Sequence, residues 1–153
     1  MVSALGRAIW NCLSQEETVV AILVEAGQMS VSKARSGDAG EKEAGLKQLR
    51  KRLNDENARP DVLEALDAGI EAFNQVRKQA RNALSHAHPF TVGYDEQGAY
   101  HPGLAHTSRG VERRLADGPA ELLDLAHEVE EAIEPLSRAR DAVRKHCAPR
   151  RRF

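Results

Sequence analysis

The stretch PDVLEALDAGIEAFNQVRKQARNALSHAHPF, residues 60–90, decides the fold. Its apolar side chains, Val62, Leu66, Ile70, Phe73, Val76, Ala80 and Leu84, recur three or four residues apart, the spacing that lines one face of an α-helix. Asp61 with Glu64 offers a capping box at the start, in which each side chain satisfies a free backbone N–H. Pro60 breaks whatever precedes it, and Pro89 bars continuation because the residue before a proline avoids helical backbone. The pattern predicts one long helix over residues 61–86, ending between Ser85 and His88.

Working outward, Leu5, Ile9, Cys12, Leu13, Val20 and Leu23 give a first helix over residues 4–27, with Gly27 as its stop and Trp10 beside the stripe as a core or interface anchor. Residues 30–40, rich in Ser and Gly, read as a connection or a frayed helix start. Asp38 and Glu41 form a capping box for a second helix over residues 39–57, carrying Leu46, Leu49 and Leu53. Its Lys47, Arg50, Lys51 and Arg52 read as a solvated face. Asp117-Gly118-Pro119 starts the last helix, residues 119–146. There Leu122, Ala126, Val129, Ile133, Leu136, Arg140 and Val143 alternate four and three apart, a heptad seam suited to a near-parallel partner helix, with a kink expected at Pro135.

Between the last two helices, residues 86–118 carry no helical stripe, and a loop of that length in a compact domain is uncommon unless it has work to do. Phe90, Val92 and Tyr94 alternate, and Asp95-Glu96-Gln97-Gly98 supplies turn chemistry, so a short β-hairpin is expected, followed by a helical turn near Val111 to Leu115. The fold expected is therefore all-α, an up-and-down four-helix bundle with a β-hairpin insertion between helices three and four. Residues 1–147 read as one helical domain and residues 148–153, which include Arg150-Arg151-Arg152, as a basic, disordered tail. Aromatic residues are only 4%, so the core must be Ala, Leu, Val and Ile. The net charge of −1 gives no global attraction to nucleic acid, and any such contact must use a local patch. Cys12 and Cys147 show no pairing pattern, the apolar run Val19 to Val24 is too short to span a bilayer, and no leader pattern opens the chain; a cytoplasmic protein without membrane contact is expected.

The chemistry concentrates where the long helix ends. Arg81, Asn82 and His86 stand as R-N-x-x-x-H. His exchanges a proton near neutral pH, and Arg stays charged and grips phosphate oxygens, the two functions that metal-free RNA cleavage needs. Arg77, His88, Arg109, Arg113 and Arg114 add cationic groups around them that RNA could meet. On an ideal helix Asn82 and His86 share a face, whereas Arg81 and His86 diverge by about 140°. Either the helix unwinds before His86, or a second protomer brings its own copy across a two-fold axis. Arg140-Asp141 with His146, one residue longer and with Asp for Asn, is a looser match near the C-terminus and reads as coincidence. His86, His88, His101 and His106 cluster in sequence, but the spacing matches no zinc signature and no Cys joins them, so no metal and no cofactor is assigned.

The R-N-x-x-x-H arrangement, with the helix order, resembles the HEPN superfamily, small helical domains marked by R-x(4 to 6)-H that include RNA-cutting toxins. The resemblance implies a homodimer whose two motifs line one cleft, cutting RNA by attack of the 2'-hydroxyl on the adjacent phosphate. Arg81 would hold phosphate, His86 handle protons and Asn82 support them, with an antitoxin-like protein as a possible partner. The alternative it leaves open is a non-catalytic HEPN-like module that binds a nucleotide or a protein.

Overall fold

The structure, a computed structural model, describes residues 2–148 except 95 and 109. Its helices are α1 (Val2–Glu25), α2 (Val31–Ser36), α3 (Ala39–Asp55), α4 (Pro60–Val76), α5 (Asn82–Ser85), α6 (Pro119–Glu131) and α7 (Ile133–Cys147), and a π-helical turn, Arg77–Arg81, joins α4 to α5. Strands β1 (Ala87–Tyr94), β2 (Tyr100–Ser108) and β3 (Val111–Ala116) form one antiparallel sheet in that order. The chain is thus mostly helical with a small sheet, where the residue pattern alone suggests all-α. None of the described helices is long and apolar enough to cross a membrane. The chain gathers into two compact units, one of Leu13–Asn74 with Ala132–Phe153, the other of Met1–Cys12 with Gln75–Glu131.

In the first unit Val19, Ile22, Leu23, Leu46, Leu49, Leu53, Leu66, Leu136 and Val143 make a close-packed aliphatic core. Burying one such side chain stabilises by about 1.5–3 kcal/mol, which is how a chain this poor in aromatics holds together. The capping box of α3 forms as expected, Glu41 N–H donating to Asp38 Oδ1 and Asp38 N–H to Glu41 Oε2, at 2.8 and 2.9 Å. The second expected box does not form, because α4 begins at Pro60 and leaves Asp61 inside the first turn, paired with Arg59. Residues 31–36 are a short helix capped by Ser30, whose hydroxyl accepts from Lys33 N–H. Lys42 is buried, and its ammonium donates to Glu16 at 3.2 Å, tying α3 to α1. Gly69 lets α4 approach α7 so closely that a Cβ there would stand 2.9 Å from that of Ala139.

In the second unit α1 buries Ala4 and Ala8, and Asn11 donates through its amide to the Ala126 carbonyl of α6. That choice corrects the expected stripe: Ile9, Leu13 and Trp10 are exposed, Trp10 at 70%, and the packed side of the helix there carries Ala4, Ala8 and Asn11 instead. The last helix is two. Pro135 has no N–H to offer the Glu131 carbonyl and its ring crowds that carbonyl, and the helix breaks at Ala132 between them. The heptad seam is spent inside the chain: Leu122, Ala126 and Val129 are buried in this unit, and Leu136 and Val143 in the other. Residues 111–115 are strand rather than the expected helical turn; Val111 and Leu115 stand four apart, a spacing that reads as helix. The tail residues Arg150 to Arg152 lie outside the described ones.

Two tests follow from this packing. Replacing Gly69 by Val should cost about 1–3 kcal/mol through overpacking against Ala139; urea denaturation showing wild-type stability would contradict the close approach. The second concerns Glu25, whose carboxyl is held below its ordinary value of 4.5 chiefly by hydrogen bonds from Arg140, with burial opposing and the charges of Arg140 and Arg144 adding. A depressed acid stabilises the fold above its unfolded value and loses that contribution as pH falls through the lower folded value. Glu25→Gln should therefore lose up to about 1 kcal/mol at neutral pH for this half-exposed pair and show a shallower loss below pH 4.5. Parallel acid dependence of the two proteins would contradict the pairing.

Candidate functional site

The motif residues lie in the unit that also holds the sheet. The π-helical turn ends at Arg81, and Asn82 N–H donates to the Arg77 carbonyl five residues back. Arg77 and Asn82 therefore stand one above the other, a stacking that the expected single α-helix would not give. Such turns are rare and occur frequently at functional sites. Arg77 and Arg81 are half-buried and engaged by neighbouring groups, and Asn82 is exposed. Helical backbone runs on through Ser85, so the helix does not unwind before His86, and Arg81 and His86 stay on one helical run. His86 ends it, its N–H donating to the Ala83 and Leu84 carbonyls and its side chain exposed.

One residue separates helix from sheet. Ala87, directly after His86, pairs with His106 on β2, and His106 pairs with Arg113 on β3. Residues directly opposite on antiparallel strands share a face, with Cβ atoms about 4.5–5.5 Å apart. Ala87, His106 and Arg113 thus form one row across the sheet, on the face whose Leu104 and Ala116 pack with Leu84 and Leu122. Arg113 is exposed, and neither it nor His86 has an ion-pair or side-chain hydrogen-bond partner among the described residues. His106 is half-buried, and its Nδ1 is shut from solvent without a hydrogen bond among the described residues.

The opposite face carries His88, Phe90 and Arg114. The Arg114 guanidinium lies over the Phe90 ring, 5.2 Å from its centroid, a favourable cation–π geometry, and also meets Asp117 at 3.1 Å. His88 Nε2 is 3.5 Å from Glu112. Gly103 opposite Phe90 is required by space: a Cβ there would stand 2.6 Å from two ring carbons. Of the cations expected to meet RNA, then, Arg113 shares a row with His106, Arg114 and His88 sit on the other face, Arg77 stacks beneath Asn82, and Arg109 lies outside the described residues. The four clustered His split between the helix end and the two faces, and among the described residues no group of three ligands could hold a metal.

Elsewhere the candidate cations are spent. Arg140 of the second Arg-to-His match grips Glu25 with both Nε and Nη2, a structural pair. Arg50 holds Asp67 in the same two-pronged way, Lys47 meets Glu43 and Arg52 donates to the Ala26 carbonyl, so three of the four basic residues of that α3 cluster serve the fold, and Lys51 is exposed. A cleft of about 660 Å³ in the other unit is lined by Arg59, Asp61, Arg138, Asp141, Lys145 and His146 among others. Its charges largely pair with one another or with neighbours, as in Arg59 with Asp61 and Asp141 with Arg144; Asp141 and His146 of the second match line it, and Arg81, Asn82 and His86 do not.

Pattern reading names His106 and Arg113 separately but not their adjacency, and it misses the π turn, for which the sequence carries no signal. The Arg114 stack on Phe90 has one sequence trace, a glycine within the expected hairpin. Comparison with protein-family models, curated proteins and solved structures finds no match. The stack is tested by Gly103→Ala, which must displace the Phe90 ring and should cost about 1–3 kcal/mol. An unchanged melting temperature would mean that the ring does not lie where these contacts put it.

Proposed function

We propose that the protein is a HEPN-like, metal-independent endoribonuclease that cuts by attack of the 2'-hydroxyl on the adjacent phosphate. The observation that carries the reading is the coincidence of the π turn with the R-N-x-x-x-H motif: the rare backbone feature ends at Arg81 and stacks Asn82 on Arg77, and the same run closes on an exposed His86. In this reading Arg81 stabilises charge on the phosphate, His86 transfers a proton and Asn82 orients one of them. Arg113 and Arg114 add cations near the motif, and Arg77 and His88 are further candidates for RNA contact. In this reading the main helices form an up-and-down four-helix bundle with the sheet inserted between the third and the fourth, and the protein acts in the cytoplasm.

Arg81 and His86 on one helical run favour a homodimer in which each chain completes its partner's site, since the two diverge by about 140° on a regular helix. The seam on α6 and α7 no longer supports that dimer, being buried within the chain. A toxin or defence role with an antitoxin-like partner follows from the resemblance alone.

Arg81→Ala and His86→Ala should each lower cleavage of a mixed RNA pool by at least about a hundred-fold while preserving the circular dichroism spectrum, with a smaller loss for Asn82→Ala and no effect of chelator. The ends produced should be 2',3'-cyclic phosphates. Mixing the two inactive single variants should restore part of the activity if the site is composite. Full activity in His86→Ala would exclude this motif, and binding of RNA without cleavage by the wild type would favour the alternative, a non-catalytic nucleotide- or protein-binding module.

A further inference from the structure

Cleavage by a 2'-hydroxyl needs two proton transfers, and the R-N-x-x-x-H motif supplies one imidazole. The attacking oxygen must lose a proton as its bond to phosphorus forms, and the departing 5'-oxygen must gain one as its bond to phosphorus breaks. We infer that His106 is the second proton-transfer group of the site. This rests on the ribonuclease reading and adds to it a residue that the motif does not contain.

Three observations meet at His106. The first is register: His106 pairs with Ala87, the residue directly after His86, so the backbone of β2 at His106 lies one residue from the end of the helix that carries His86. The second is its other neighbour, since Arg113 stands opposite on β3 in the same row, exposed and without an ion-pair partner among the described residues. A guanidinium there can hold a phosphate oxygen beside the imidazole. The third is the ring itself. Its Nδ1 is buried without a hydrogen bond among the described residues, a state that costs about 1–3 kcal/mol and that a merely structural His would relieve. With Nδ1 shut away, exchange with substrate falls to Nε2, on a residue that is only half-buried.

In the forward reaction one imidazole takes the 2'-hydroxyl proton while O2' attacks phosphorus. The P–O5' bond then breaks with its electron pair, and the other ring, entering as imidazolium, gives its proton to O5'. The products are a 2',3'-cyclic phosphate and a 5'-hydroxyl end, and one proton returned through solvent restores both rings. The pairing sets Arg113 and Ala87 against His106, and His86 is the residue before Ala87 in the chain.

The test compares wild type, His106→Gln, His106→Gly and Arg113→Ala in cleavage of a single-stranded RNA, with rates measured from pH 5 to 9 and folding checked by circular dichroism. Wild type should show a bell-shaped profile. His106→Gln should fall by about a hundred-fold or more and lose one limb of the bell, and the limb lost identifies the transfer that His106 performs. Added imidazole should partly rescue His106→Gly, and Arg113→Ala should raise KM more than it lowers kcat. Cleavage by His106→Gln at the wild-type rate, while His86→Ala is inactive, would overturn this inference and leave the ribonuclease reading standing. A loss that is uniform across pH and not rescued by imidazole would assign His106 a structural role and equally overturn it. No cleavage by the wild type would remove both.

Discussion

Burial along the helical run from Pro60 to Ser85 is the constraint on which everything else depends. Its buried residues are Val62, Leu66, Gly69, Phe73, Val76, Ala80 and Ala83, alternating four and three apart. A seven-residue repeat drifts by about 20° per heptad on a straight helix, so such a stripe must be followed by its neighbours or corrected in its winding. Val62 to Phe73 belong to one unit's core and Val76 to Ala83 lie in the other unit. Over the first part the stripe is small enough at Gly69 for close contact with Ala139. In the second part the winding itself changes, through the π turn, and the residues reset by that change are the ones with the chemistry.

The end of this run leaves no slack. His86 is the single residue between α5 and β1, so the phase of the helix hands directly to the register of the sheet. Because opposed residues share a face, pairing Ala87 with His106 settles which side chains of β2 and β3 lie on the core side and which on the other. The two faces differ in chemistry: one carries the His106 and Arg113 row at the edge of an aliphatic cluster, the other a guanidinium stacked on Phe90 beside His88 and Glu112. On the proposed reading the first handles phosphate and protons, and the second offers a ring and a guanidinium plane of the kind on which bases stack.

Electrostatics separates the fold's cations from those left for a ligand. Arg7, Arg50, Arg59, Arg138, Arg140 and Arg144 each face a carboxylate, and Lys42 is buried against Glu16. Most of these pairs are exposed and individually weak, about 1 kcal/mol or less, but they keep a chain of net charge −1 from presenting positive surface at random. Arg113 stands apart from that network, next to an imidazole with a buried nitrogen.

The sequence by itself determined what is local. The capping box of Asp38 and Glu41, the leucine face of α3, the proline at the start of α6 and the glycine turn at Gly98 depend on residues within a few positions of each other, and each appears as read; the kink expected at Pro135 comes as a full break at Ala132. The tertiary structure decided what depends on long-range partners. It put the small side of α1 inward and left Trp10, Ile9 and Leu13 out, with Ala4 packed among Leu104, Ala116 and Leu122 and Asn11 bonded to the Ala126 carbonyl of α6. It made a strand of Val111 to Ala116, since pairing with β2 overrides an apolar spacing of four. It widened the helix at Arg77–Arg81, a choice of backbone hydrogen bonds that no side chain announces. Arg81, Asn82 and His86 were legible as a motif because they are adjacent in the chain. His106 and Arg113 became neighbours only through strand register, which is set by distant packing rather than by their own spacing.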